Sequence, residues 1–461
     1  MRYLPLLIFA FLIVSCQIED DNAPSPDEAF IKYYGELTSY EASDIEVIYD
    51  ATGEIAEGLV IFGSKINELG DNDYFVLRTD LQGNLIDSLS YRYENETGQD
   101  FTGDNIPDDL KGDDRSSQIH VVPGQGFIII GTSSITQNTL GISDFQILTL
   151  GFLDNDLNLR GDTLVALASS PGNVDLDLMG NDAILLSDGN FLIAGAIELD
   201  RGGGVTDFDN YILKFNFTNG VSFEEIQGVP GAGEDDVLVR AFEKDNGNLV
   251  CIGYSNSPSL LGENGGTNGT NVYYLELSPN GTPVNFYAYG MDDPDPSDGG
   301  VFNEQVNNVI ETPSGYTVVG TSTTASDQEY AFLMNLSNNG LYLNASNHLN
   351  SIYNPDLSIL QTRGFGVTQA LNNELLLVGK YLSFTTASEA RGGEGMFVQF
   401  DQSAQVTGAE SFFGLADGDD GIVDAVTLPD GKIVAVANVD FGGGVKLLSI
   451  IKLNADGSLD R

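Results

Sequence analysis

One pattern recurs seven times along this chain, and it leaves few folds open. Each copy carries a short apolar run ending in a small residue. The runs are Leu59–Gly63, Phe127–Gly131, Phe191–Gly195, Leu249–Gly253, Tyr316–Gly320, Leu375–Gly379 and Ile433–Ala437. The small residues stand 68, 64, 58, 67, 59 and 58 positions apart. A second, alternating run follows, as in Asp73–Leu77, Asp209–Lys214, Val272–Glu276 and Tyr330–Met334. Turns such as Pro279-Asn280-Gly281, Asn338-Asn339-Gly340 and Ala455-Asp456-Gly457 close several of these runs. Asn-Gly and Asp-Gly between apolar runs predict two-residue hairpins with both central residues at positive φ. Each unit therefore reads as four antiparallel strands, A to D, and its β-branched and aromatic content leaves little room for helix.

Four-stranded units repeated seven times predict an all-β, seven-bladed β-propeller over residues 29–461. A domain count from length alone would instead suggest three units of ~150 residues. The two ends of the pattern complement one another. The last unit reaches only strand C, before Ser458-Leu459-Asp460-Arg461, while Phe30–Gly35 stands alone ahead of the first A strand. Phe30–Gly35 is similar to D strands such as Val284–Gly290, so the two ends are expected to pair and close the ring. No capping repeat of the kind an open solenoid requires is evident.

Charge narrows the function. The chain has 68 Asp and Glu against 19 Lys and Arg, a formal charge of −49. Such a surface repels a phosphate backbone, so nucleic acid is excluded as a partner that binds by charge neutralisation. Two His and two distant Cys provide neither a zinc cluster nor a disulfide framework.

The first residues carry an address. Arg2 precedes an apolar stretch, Leu4–Val14, that is too short to span a bilayer. The order Ile13-Val14-Ser15-Cys16 resembles a bacterial lipobox. The resemblance implies a lipoprotein signal peptide over residues 1–15 and lipid attachment at Cys16, where a thiol is needed for the thioether. Residues 16–28 are polar and contain Pro24 and Pro26, which reads as a flexible acidic tether. Glu19-Asp20-Asp21 resembles the surface-export signal of Bacteroidota-type lipoproteins. It implies an outer-membrane lipoprotein held by its lipid, on the cell surface in preference to the periplasmic face.

The repeats themselves resemble those of bacterial extracytoplasmic lipoproteins in which an Asp-Asp pair precedes a D-G-G-Y-I-V-x-G run. Asp235-Asp236 with Gly247–Gly253, and Asp419-Asp420 with Asp430–Ala437, match best. The resemblance implies a propeller and leaves function open. The chain has no Trp, which argues against the quinoprotein, sialidase, WD and kelch signatures that depend on it.

Several residues are candidates for a site. Asp100, Asp104 and Asp108, with the carbonyl of Ile106, resemble a calcium-binding half-repeat, making calcium the one cofactor suggested. Thr102 and Lys111 depart from that pattern, and an acidic solvated loop is the plainer reading. Asp292–Asp298 is a second acidic cluster without register. Aligning each strand A on the small residue of strand B puts Glu46, Gln118, Asp182, Arg240, Asn307, Gly366 and Asp424 in one column. Glu46 enters only with a hairpin four residues longer. Strand A is innermost in a propeller, so this column is expected to line the central channel. His120, in a strand A, and His348, in a strand D, read as structural residues, and Cys251 as a buried thiol. No catalytic residue is assigned, although a pair of carboxylates suited to glycoside hydrolysis stays open.

Strand direction sorts the connections. A–B and C–D turns fall on one face, B–C and D–A loops on the other. Long loops are expected over Tyr254–Asn271, Lys380–Gly395, Glu94–Ser117 and Gly290–Gln305. They would form an acidic, Gly-rich recognition face suited to cations, basic proteins or neutral glycans. The expectation is a monomeric, lipid-anchored, non-enzymatic binding propeller whose partner is a protein or a glycan. The rivals are a carbohydrate-active propeller enzyme and a structural component of an outer-membrane complex.

Overall fold

Seven antiparallel sheets of four strands each make up the computed structural model. It describes residues 28–35, 38–68, 70–92, 113–135, 145–160, 165–167, 177–202, 205–216, 220–227, 235–257, 269–291, 303–324, 327–347, 359–386, 389–408, 411–414 and 418–459. A single strand, β1 (Phe30–Tyr34), comes first. Blade one holds β2 (Tyr40–Tyr49), β3 (Ala56–Ile66), β4 (Asn72–Thr79) and β5 (Leu85–Tyr91). Blade two holds β6 (Asp114–Val122), β7 (Gly126–Ile135), β8 (Phe145–Leu153) and β9 (Val165–Leu167). Blade three holds β10 (Leu178–Leu185), β11 (Phe191–Gly202), β12 (Val205–Asn216) and β13 (Gly220–Gln227). Blade four holds β14 (Asp236–Glu243), β15 (Leu249–Ser255), β16 (Asn271–Leu277) and β17 (Pro283–Tyr289). Blade five holds β18 (Asn303–Thr312), β19 (Gly315–Thr323), β20 (Glu329–Ser337) and β21 (Tyr342–Asn347). Blade six holds β22 (Ile359–Gln369), β23 (Leu375–Thr386), β24 (Glu389–Phe400) and β25 (Ser411–Phe413). Blade seven holds β26 (Gly421–Thr427), β27 (Ile433–Asp440) and β28 (Lys446–Leu453), with β1 as its outer strand.

The ring is closed. Each innermost strand touches the next, from β2 through β6, β10, β14, β18 and β22 to β26, and β26 returns to β2. β1 runs antiparallel to β28, pairing Phe30 with Lys452 through to Tyr34 with Leu448. Phe30 also enters the apolar core between blades seven and one, and Lys32 Nζ donates to Asn84 Oδ1 at 2.7 Å. Seven apolar cores follow the same rule, each filling the gap between two neighbouring blades. Alternation along every strand buries one set of side chains against each neighbour, which is why the runs read as nearly continuous hydrophobic segments.

Acidic residues clasp the blades together. At the start of each strand A, one side chain accepts an amide from strand C of the preceding blade or its first neighbour. Asp113 takes Asn72 N–H at 3.0 Å, Asp177 takes Gln146 at 2.9 Å and Asp235 takes Phe208 at 3.0 Å. Asn303, Thr362, Asp419 and Ser39 do the same to Thr270, Ala331, Gly393 and Lys446. The first Asp of each Asp-Asp pair is thus part of the wheel's fastening.

Three expectations about connections change. The Asn-Gly and Asp-Gly tips are type I turns followed by one residue at positive φ. Gly281 N–H bonds Ser278 O at 2.9 Å with Gly281 alone at φ +82°, so Pro279 and Asn280 are the central residues, and the fixed φ of Pro279 suits the first of them. The segment Lys380–Gly395 is an extended hairpin of β23 and β24, with Lys380 paired to Gly395, because its strand pairing simply continues outward. The loop expected over Glu94–Ser117 likewise gives way to strand β6 from Asp114. Residues 258–268 and 292–302, like Cys16, His348 and the acidic run Asp100–Asp109, lie outside the described residues.

Candidate functional site

Every strand A carries a β-bulge at the same level, and the bulges organise the channel. Register breaks at Ala42/Asp44, Ser116/Gln118, Gly180/Asp182, Leu238/Arg240, Val306/Asn308, Gly364/Gly366 and Ile422/Asp424. The small residue of strand B lies across from each bulge. A Cβ at Gly195, Gly253 or Gly379 would sit 1.9 Å from a carbonyl oxygen of strand A. The recurring glycine is therefore a demand of close backbone approach.

Register puts Asp44, Gln118, Asp182, Arg240, Asn308, Gly366 and Asp424 at equivalent positions. Two members differ from the column read in the sequence. Asn308 replaces Asn307, because the β18–β19 hairpin closes tightly with Thr312 paired to Gly315. Asp44 replaces Glu46, because the β2–β3 hairpin is longer still, with Tyr49 paired to Ala56 across residues 50–55. Glu46 lies two residues further on the same face, and Asn307 is the bulge residue itself.

These side chains meet across the axis. Arg240 Nε donates to Asn308 Oδ1 at 2.9 Å, and its guanidinium nitrogens lie 3.9 Å from Asp44 and 3.8 Å from Asp182. Asn308 Nδ2 reaches Asp424 Oδ1 at 2.9 Å, passing over blade six. Only Gly366 permits that reach, since a Cβ there would stand 2.5 Å from Asp424 Oδ1. Asp44 and Asp424 are hydrogen-bonded to each other. Asp44 also accepts Ile119 N–H at 2.8 Å, and Asp182 accepts Ala241 N–H at 2.7 Å.

His120, two residues beyond Gln118, bridges two carboxylates. Its Nδ1 is 2.8 Å from Glu46 Oε1 and its Nε2 is 2.6 Å from Asp182 Oδ1. Burial by itself would lower the imidazole, but Asp182 and Glu46 outweigh it and hold His120 well above its usual range. Burial pushes both Asp44 and Asp424 up, against the opposing pull of nearby Arg240. Asp182 goes the other way: burial opposes ionisation, yet His120 and Arg240 hold it below the usual carboxylate range. Arg240 stays charged, as Asp182, Asp44 and Asp424 outweigh its burial.

This waist layer lies between two cavities. One, of about 420 Å³, opens toward the A–B turns and is lined by Glu46, Tyr49, Glu311, Thr368, Gln369 and Arg240 among others. The other, of about 330 Å³, opens toward the D–A and B–C side. The bulge residue of every blade lines it: Ser43, Ser117, Asn181, Val239, Asn307, Phe365 and Val423. All seven are half-buried, and none carries a charge. Gln118 and Asn308 lie at its inner end. Among the described residues, no group of three or more His, Cys, Asp and Glu is arranged to hold a metal ion.

No protein-family model matches the sequence, and no curated protein is similar to it. Several solved structures resemble the fold. A protein of unknown function from Dyadobacter fermentans is 13% identical, covering 92% of this chain and 97% of that chain with a TM-score of 0.42. A polysaccharide lyase, an ulvan lyase, is 9% identical over 93% of this chain and 98% of that chain, with a TM-score of 0.49. A protein of unknown function from Bacteroides caccae is 11% identical over 73% of this chain and 89% of that chain, with a TM-score of 0.35.

Proposed function

We propose that this chain is a lipid-anchored, non-enzymatic binding propeller that presents its D–A and B–C face outside the cytoplasm. One observation carries the reading. The ionisable groups at the channel waist are committed to one another, from Asp424 and Asp44 through Arg240 to Asp182, His120 and Glu46. A wall so bonded holds the blades in place, and such a structural use of its charged groups supports a binding role. On its D–A and B–C side stands the recess of about 330 Å³. The anchor rests on Ile13-Val14-Ser15-Cys16, and the tether on residues 16–28. Its partner is a protein or glycan, and calcium in the Asp100–Asp109 run would stiffen that face.

The test has two parts. Cys16→Ala should abolish labelling by a fatty-acid analogue and release the protein from membranes. Protease added to whole cells should then distinguish surface from periplasmic display of the wild type. Cross-linking on intact cells should capture a partner with the wild type and lose it when short turns replace the Tyr254–Asn271 loop. Capture unchanged by that graft would move the contact off this face.

A second reading keeps one supporting observation. Three carboxyl groups at the waist have diverging proton affinities, Asp44 and Asp424 up and Asp182 down, as acid–base pairs do. A carbohydrate-active enzyme built on them would release reducing ends from a polysaccharide and lose that activity in Asp182→Asn.

A further inference from the structure

The recess on the D–A and B–C side has a chemistry unlike the rest of this molecule. In a chain of charge −49, the ring of bulge residues around it carries no ionisable side chain. Three of its four polar members are contiguous, and Asn307 of blade five is set apart from them by Val239 of blade four. Ser43, Ser117 and Asn181 come from blades one to three, while Phe365 and Val423, from blades six and seven, stand across the ring. A β-bulge turns one extra side chain out of the sheet's alternation, so all seven project at one level.

The polar arc is built to accept hydrogen bonds. Asn181 donates its amide to Leu238 O at 2.7 Å, and Asn307 donates to Gly364 O at 2.6 Å. A carbonyl cannot receive from another carbonyl, so the orientation of both amides is settled, and each keeps its Oδ1 for another donor. Ser43 Oγ donates to Phe62 O at 3.2 Å and likewise keeps its lone pairs. Gln118 is the clearest sign of a missing partner. It lines the recess, is 8% exposed, and its Oε1 is buried without a hydrogen bond. An orphaned buried acceptor costs roughly 1–3 kcal/mol, so a native structure that retains one has a reason for it.

We infer that this recess is a binding site for one neutral, polyhydroxylated ring, of the size and amphipathic character of a pyranose. Hydroxyls supply the donors that Ser43, Asn181, Asn307 and Gln118 lack, and a C–H face of the ring packs on Phe365. An anion would bring further negative charge into the field of a chain of charge −49. Cations find no carboxylate on the lining, since those of the waist are bonded within it. A volume of about 330 Å³ stands at the small end of ligand sites, room for a single sugar unit. This inference rests on the binding reading above and names the class of ligand for it.

Titration calorimetry on the purified soluble chain, starting after Cys16, provides the test. The probes are the methyl pyranosides of glucose, galactose, mannose and rhamnose, together with glucuronate and glucosamine. At least one neutral pyranoside should bind, with glucuronate about tenfold weaker or worse and glucosamine no tighter. Ser117→Leu, which fills the recess, and Phe365→Ala, which removes its apolar wall, should each weaken that binding by about tenfold while the melting transition stays cooperative. No heat from any neutral probe at millimolar concentration overturns the assignment, as does equal or tighter binding of glucuronate or glucosamine. Binding unchanged in both variants also overturns it, and places the sugar elsewhere on a protein that still binds. Loss of partner capture in the Tyr254–Asn271 graft is scored separately, so failure of the recess and failure of the binding reading are told apart.

Discussion

Glu304 begins strand β18 with one oxygen bonded weakly, to Ser322 Oγ at 3.3 Å and Met291 N at 3.4 Å, and the other buried without a partner. Burial raises its proton affinity to about 8, against the usual carboxylate range. The folded chain therefore holds a proton that the unfolded chain releases above pH ~4.5. Stability from this group is complete below that value and is lost as pH rises toward 8. Glu304→Gln imitates the protonated form, so it should stabilise the fold by on the order of 3 kcal/mol at pH 7 and by little at pH 4.5. Chemical denaturation of both proteins at the two pH values checks this. His120 gives the same sign. Its stabilisation is full below the unfolded value of ~6.5 and disappears as pH rises through the raised folded value. His120→Gln leaves Glu46 and Asp182 facing each other without the imidazolium that bridges them, and Asp182 with only Arg240 beside it. It should cost about 3 kcal/mol near pH 6, with the gap to wild type narrowing on titration to alkaline pH.

At the scale of the element, the bulged strand A and its facing glycine form one device. Gly253→Ala would drive a methyl against Val237 O, so β14 and β15 must part locally. We expect a loss of about 1–3 kcal/mol in a denaturant midpoint, and faster hydrogen exchange along both strands. Blade seven, where Ala437 holds the equivalent place across from the Ile422/Asp424 bulge, shows that the wall can yield there. Strand order, the glycine column and the pairing of the ends were legible in the sequence because each is written in hydrophobic spacing. The waist was less so. Its column is offset wherever a hairpin changes length, which misplaces Asn307 by one residue and Glu46 by two. The bridge from His120 to Asp182 joins different blades, and no local pattern records it. The Asp-Asp pairs were legible as a motif but not as clasps, because an inter-blade hydrogen bond has no sequence period.

The whole molecule depends on β1. Removing residues 29–35 would expose the edge of β28, open the core that Phe30 fills, and strip the turn at Gly83–Asn84 of its hydrogen bonds from Lys32 and Tyr34. The truncated chain should melt at lower temperature and self-associate through the bare edge, which light scattering against the intact chain would detect. Adding the Phe30–Gly35 segment as a peptide should partly restore the melting point, in proportion to its concentration.

That seal has a consequence for synthesis. Phe30 emerges among the first folded residues and must wait for Lys452, almost the last, before it finds its place. Ring closure is thus the most non-local event in folding and the one expected to set its pace. It also acts as an inspection of completeness. A chain that ends before β28 has nothing to receive β1 and stays ajar at an unpaired seam.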